Sequence, residues 1–207
     1  MAEVETYGTG QVERTADRAV LRVFYAEHAK DRAGAVSALT NRITTVESVL
    51  DRDGVEVRER QLSVHDDWDG KRRSGARATQ SYALRITDLT ILNDLIAALV
   101  VVEPANLVGP LWELANHDDA MRQAQREAVA VATRRAESYV EALGRRLGPL
   151  LRVHDGQGNP QPASFAAQAA VHISRSSAPR PDISELSLEP QPVFVSATCR
   201  MAWTIAE

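Results

Sequence analysis

The chain has 207 residues, 44% of them apolar and 25% charged, with a formal net charge of −4. That size and apolar content suit a folded core, and the mild acidity excludes the cationic field that general nucleic-acid binding requires. The single cysteine, Cys199, rules out an intrachain disulfide. The opening "MAEVETYGTG" has neither a basic nor an apolar stretch and does not read as a signal peptide. The apolar run from Leu95 to Val102 is far too short to span a bilayer. Together these features predict a cytoplasmic protein with no membrane insertion and no nucleic-acid partner.

Two strands are predicted first, Val4 to Glu13 and Arg18 to His28, joined tightly through "RTAD". Ala19, Leu21, Val23 and Tyr25 form one face of the second. From Asp31 the period becomes helical, with Ala35, Leu39, Ile43, Val46 and Leu50 in one stripe and Gly54 placed to cap its end. A third strand, Val57 to His65, and a fourth, Arg77 to Ile86, flank the polar "DDWDGKRRSG" and read as a hairpin with a long tip. A second helix covers Leu89 to Val102 and is stopped by Pro104. A fifth strand runs from Asn106 to Leu114.

The longest helix follows, Asp118 to Leu143, about 40 Å at ~1.5 Å per residue. Asn116 is its expected N-cap, with Asp119 three residues on as a capping-box partner. The stripe expected to face the core is Met121, Ala124, Ala128, Val131 or Ala132, Ala136, Tyr139 and Leu143. Gly144 ends the helix, and Leu150 to Val153 makes a short strand. Residues 157–192 hold six of the nine prolines and read as a long variable loop. Val193, Val195, Ala197, Cys199, Met201, Trp203 and Ile205 then alternate with polar residues in a final long strand. The order ββαββαβαβ, loop, β favours α+β with a mostly antiparallel twisted sheet, two shorter helices and one long Ala-rich helix packed on it. The repeated ββα also suggests an internal duplication.

Several stretches, in this order, carry a resemblance. They are "VETYGTGQVERTADRAVLRVFY", "LTNRITTVESVLDRDGVEVRERQLSVHDDWD", "RATQSYALRITDLTILNDLI", "AVAVATRRAESYVEALGRRLGPLLRV" and the last strand. In pattern and order the chain resembles the SIMPL-domain family, a group of unknown function that includes envelope immunogen-like and stress-defence-like proteins. The resemblance spans nearly the whole chain apart from about Gly156 to Glu189. It implies a single SIMPL-like α+β domain over residues 1–207, and in some members large ring-like assemblies. It implies no established catalytic residues. Many members are exported, whereas the N-terminus here points to the cytoplasm.

Chemistry-bearing motifs are sparse. Gly8-Thr9-Gly10 lacks the third glycine and the helix of a dinucleotide fingerprint, so a bulge or close backbone packing is the better reading. His65 and Asp67 share a strand face and are candidate ligands for a divalent ion given a third donor. His117, beside Asp118 and Asp119, is another candidate. Against these stand a solvated loop for the first pair and an ordinary first-turn residue for His117. Lys71, Arg72, Arg73 and Arg77 form a basic patch near Trp68, offset by Asp66, Asp67 and Asp69. Cys199 has the parity of a buried thiol. No cofactor is implied. The chain is thus expected to be a non-catalytic, self-associating homo-oligomer, a scaffold or interaction module that is stress-linked and has a protein partner. The alternative is a small-molecule- or metal-binding protein or hydrolase with a pocket between sheet and helices.

Overall fold

The computed structural model describes residues 2–156 and 188–207. Its elements are β1 (Glu3–Thr15), β2 (Arg18–Ala29), α1 (Arg32–Leu50), β3 (Val55–Asp69), β4 (Arg72–Ile86), a 3-10 turn (Leu89–Ile91), α2 (Leu92–Val101), β5 (Asn106–Glu113), α3 (His117–Ala142), β6 (Arg146–Gly156) and β7 (Pro192–Ala206). Every strand pairing is antiparallel, and the fold is α+β. The strands divide into two sheets, ordered β3-β4-β2-β5 and β1-β7-β6, which belong to two compact units. Alternation reports which face of a strand is buried; it is silent on the neighbour the strand pairs with. The ββα duplication is absent for that reason, since β1 pairs with β7 whereas β2 pairs with β4 and β5.

The four-stranded unit is built on bulky side chains. Ala19, Leu21, Val23 and Tyr25 of β2 and Ala78, Tyr82, Leu84 and Ile86 of β4 lie under Leu39, Val46 and Leu50 of α1 and Leu92, Leu95 and Leu99 of α2. Asp31 caps α1, its carboxylate accepting from the Gly34 amide at 2.7 Å. The C-cap is Asp51, not Gly54; Gly54, at φ +84, instead turns the chain into β3. Past the end of α2, the Arg42 guanidinium of α1 donates to the carbonyls of Val102 and Glu103, at 3.2 and 3.1 Å. It thereby satisfies acceptors that the helix leaves open. The hairpin tip is shorter than expected, because β3 and β4 continue through "DDWD" and "RRSG" to a turn at Gly70 and Lys71. Cross-strand ion pairs such as Asp66–Arg73 (3.1 Å) make those polar residues good strand material.

The three-stranded unit sets small side chains of its helix on a sheet face that carries Val12, Val195, Met201 and Trp203. One face of its sheet is covered by α3, whose buried residues are Ala120, Ala124, Ala128, Ala132, Ala136 and Val140. A Cβ built on Gly8 would lie 1.8 Å from the Ala128 carbonyl oxygen, and one on Gly10 2.0 Å from that of Ala124. The glycine pair is therefore the seat of the helix, and any side chain there would push it away. The Thr6 hydroxyl donates to the Ala132 carbonyl at 2.6 Å. The expected stripe is corrected at its ends, since Tyr139 and Leu143 are exposed while Ala120 and Val140 are buried. Helix and sheet approach so closely that only the i, i+4 row of alanines fits. The long loop predicted at 157–192 falls mostly outside the described residues.

Candidate functional site

On the face of the four-stranded sheet away from its helices, cross-strand register puts His28 opposite Arg77 and Arg77 opposite His65. Asp67 reaches into this row. Its carboxylate is 3.1 Å from His28 Nδ1, 3.6 Å from Arg77 Nε and 3.8 Å from His65 Nε2. Asp66, one residue earlier, points to the other face and pairs with Arg32 of α1 at 2.9 Å and with Arg73. The two neighbouring aspartates thus tie β3 to different partners on opposite faces, as the strand's alternation requires. Two members of the basic patch, Arg73 and Arg77, are each held by an aspartate in the same way.

His65 and Asp67 are therefore brought together, with His28 as a third member that sequence reading missed. Its parity on β2 was legible; its pairing through β4 to β3 was not. A cation between these groups would face the Arg77 charge. No set of three metal-ligating side chains is gathered for a metal among the described residues. His117 lies in the other unit as the first residue of α3. Asn116 occupies the N-cap as expected, but its side chain makes no capping bond to the backbone. It donates instead to the Asp119 carboxylate at 3.0 Å. Asp119 is held below the usual carboxylate range, chiefly by its hydrogen bond to Arg122. Cys199 is buried, and desolvation raises its thiol pKa, the opposite of what a nucleophilic thiolate requires.

The three-stranded sheet carries a second feature. Its face away from α3 holds an open depression of about 580 Å³ lined by Tyr7, Thr9, His154, Gly156, Thr198 and Arg200. Two buried tyrosine hydroxyls lie in the other unit, under α1. Tyr82 donates to Glu47 at 3.0 Å, and burial together with that carboxylate raises its pKa. Tyr25, packed edge-on against Tyr82, has no hydrogen-bond partner among the described residues, and burial raises its pKa to about 12.

Fold and site together define a protein of two antiparallel α+β units whose polar clusters are mostly cross-strand ion pairs. Residues 4–203 match SIMPL, described as "Protein of unknown function (DUF541)", and the chain belongs to that family. It is also similar to the "Uncharacterized protein YggE" of Edwardsiella ictaluri, 26% identical over 185 residues, which are 84% of this chain and 77% of that protein. A crystal structure from Burkholderia cenocepacia, named for an amidohydrolase/peptidase, overlaps 61% of the chain at 16% identity with a TM-score of 0.26. This chain spans about a third (34%) of that protein, and so low a score says nothing about its fold or activity.

Proposed function

We propose that this SIMPL-family chain is a non-catalytic, self-associating interaction protein. The observation that carries this reading is the strand β6. Among the described residues it is paired on one side only, with β7, and Leu150, Leu151 and Val153 stand about half exposed along it. An edge strand with open backbone groups and apolar side chains is a template for another chain. The edge strand β3 is protected differently, by Glu56, Arg58, Glu59 and Arg60 and by a bulge between Val57 and Glu59. Light scattering on a gel-filtration column tests the proposal. The full chain should elute as an oligomer, and Leu151→Lys combined with Val153→Lys should shift it toward monomer. A strictly monomeric wild type at high concentration would sink the idea.

A second reading, ligand or metal binding with hydrolysis, draws support from the His28–Asp67 contact, since a carboxylate on Nδ1 orients an imidazole for base chemistry. It predicts that Zn²⁺ or Mn²⁺ raises the melting temperature and that Asp67→Asn abolishes the shift. Unchanged melting with both ions would remove its support.

A further inference from the structure

The depression on the three-stranded sheet has a regular construction. Antiparallel register aligns Tyr7, Arg200 and His154 in one cross-strand row and Thr9, Thr198 and Gly156 in the next. Three large planar side chains thus stand beside a row of small ones, and the step between them forms the hollow. Gly156 is part of its shape, because a Cβ there would meet Thr198 Oγ1 at 2.5 Å. The Thr198 hydroxyl donates to the Gly156 carbonyl at 2.7 Å, which fixes its orientation. The Arg200 guanidinium lies over the Tyr7 ring, 5.3 Å from its centroid, and is bound to Glu5.

We propose that this hollow binds a neutral, polyhydroxylated ligand, a saccharide. The charge arrangement argues first. Arg200 is already paired with Glu5, and Arg152 in the adjoining row is paired with Glu3 at 2.8 Å. A carboxylate or phosphate would have to displace a resident glutamate, and a cation would face two arginines. The remaining groups argue second. The Thr9 hydroxyl can donate and accept hydrogen bonds, and the Thr198 hydroxyl, its proton committed to Gly156, can still accept, which suits sugar hydroxyls. The lining is otherwise mostly carbon, with Tyr7 as an aromatic flank for the C–H face of a pyranose. The volume suits a small ligand. The site shares β6 with the association proposed above through His154 and Gly156, but its test is separate, because occupancy rather than size is read.

The test is an amide-shift NMR titration of the full chain with maltotetraose, cellotetraose, chitotetraose and, separately, inorganic phosphate. At least one oligosaccharide should give saturable shifts at Thr9, His154, Thr198 and Arg200. Tyr7→Ala and Thr9→Val should each weaken that binding by about tenfold or more, the loss of one good contact. Both side chains are on the surface, so the melting temperature should hold. Absence of saturable shifts with all three sugars at about 10 mM, where millimolar affinity already registers, would overturn the proposal. So would binding of phosphate alone, or sugar binding indifferent to both substitutions.

Discussion

The two units lay helices on one face of an antiparallel sheet by opposite means. The four-stranded unit fills the space with Leu, Ile, Val and Tyr, and its stability rests on buried apolar area. The three-stranded unit removes the space, setting an alanine stripe onto Gly8 and Gly10. Beside the burial of Met201 and Trp203, it gains from close backbone contact and dispersion. The lesson is that a stripe of small residues is not a weak core but a different one, sensitive to addition rather than to deletion.

That contrast is open to attack from both sides. Leu84→Ala, at a fully buried site of the four-stranded unit, should cost about 2–5 kcal/mol in denaturant unfolding by leaving a cavity. Gly8→Ala adds one methyl, yet should cost about 3 kcal/mol, the upper end for overpacking, because its neighbour is helix backbone. Hydrogen exchange should place that damage in β1, α3 and β7. If Gly8→Ala were neutral, the close-contact account of this unit would fail.

The buried tyrosine of the four-stranded unit gives a pH signature. Tyr25 keeps its proton in the folded state up to about pH 12, against 10 for an ordinary tyrosine. Between those values the unfolded chain has lost the proton and the folded chain has not, so stability falls as pH rises. The contribution is fully present below pH 10, and about 2 kcal/mol of it should vanish by pH 12. Tyr25→Phe should remove that part of the decline. Near pH 7 it should be neutral or slightly stabilising, because the hydroxyl has no partner among the described residues. The smallest contrast lies in the caps. Asp31→Ala should cost about 1 kcal/mol. Asn116→Ala should cost only a few tenths, because Asn116 bonds a neighbouring exposed side chain instead of the helix backbone. Equal melting temperatures for the two variants would contradict that difference.

Much of this architecture was legible in the sequence. Period 2 correctly marked the buried faces of β2 and β7, including Cys199, and helical spacing correctly placed the buried row of α1. The expectations about the capping roles of Gly54 and Asn116 fail locally, whereas the others concern partners distant along the chain. Helical spacing alone carries the expected stripe of α3 on to Tyr139 and Leu143, which are exposed, whereas Gly8 and Gly10, more than 100 residues away, select the alanines. Of the candidate site, His65 and Asp67 were legible from strand parity. His28 and the Tyr7–Arg200–His154 row needed the register, which no local pattern encodes.

The place of β7 has a consequence for synthesis. It lies between β1 and β6, with Glu3 opposite Thr204, so β1 must wait for β7, made almost 200 residues later, to find its strand partner among the described residues. The β3-β4-β2-β5 sheet is encoded between Arg18 and Glu113, and all its strands have been translated before α3 begins. At about 5–20 residues per second, β7 reaches the ribosome exit several seconds later. During that interval β1 lacks its strand partner, and only α3 is available to cover its glycine seat.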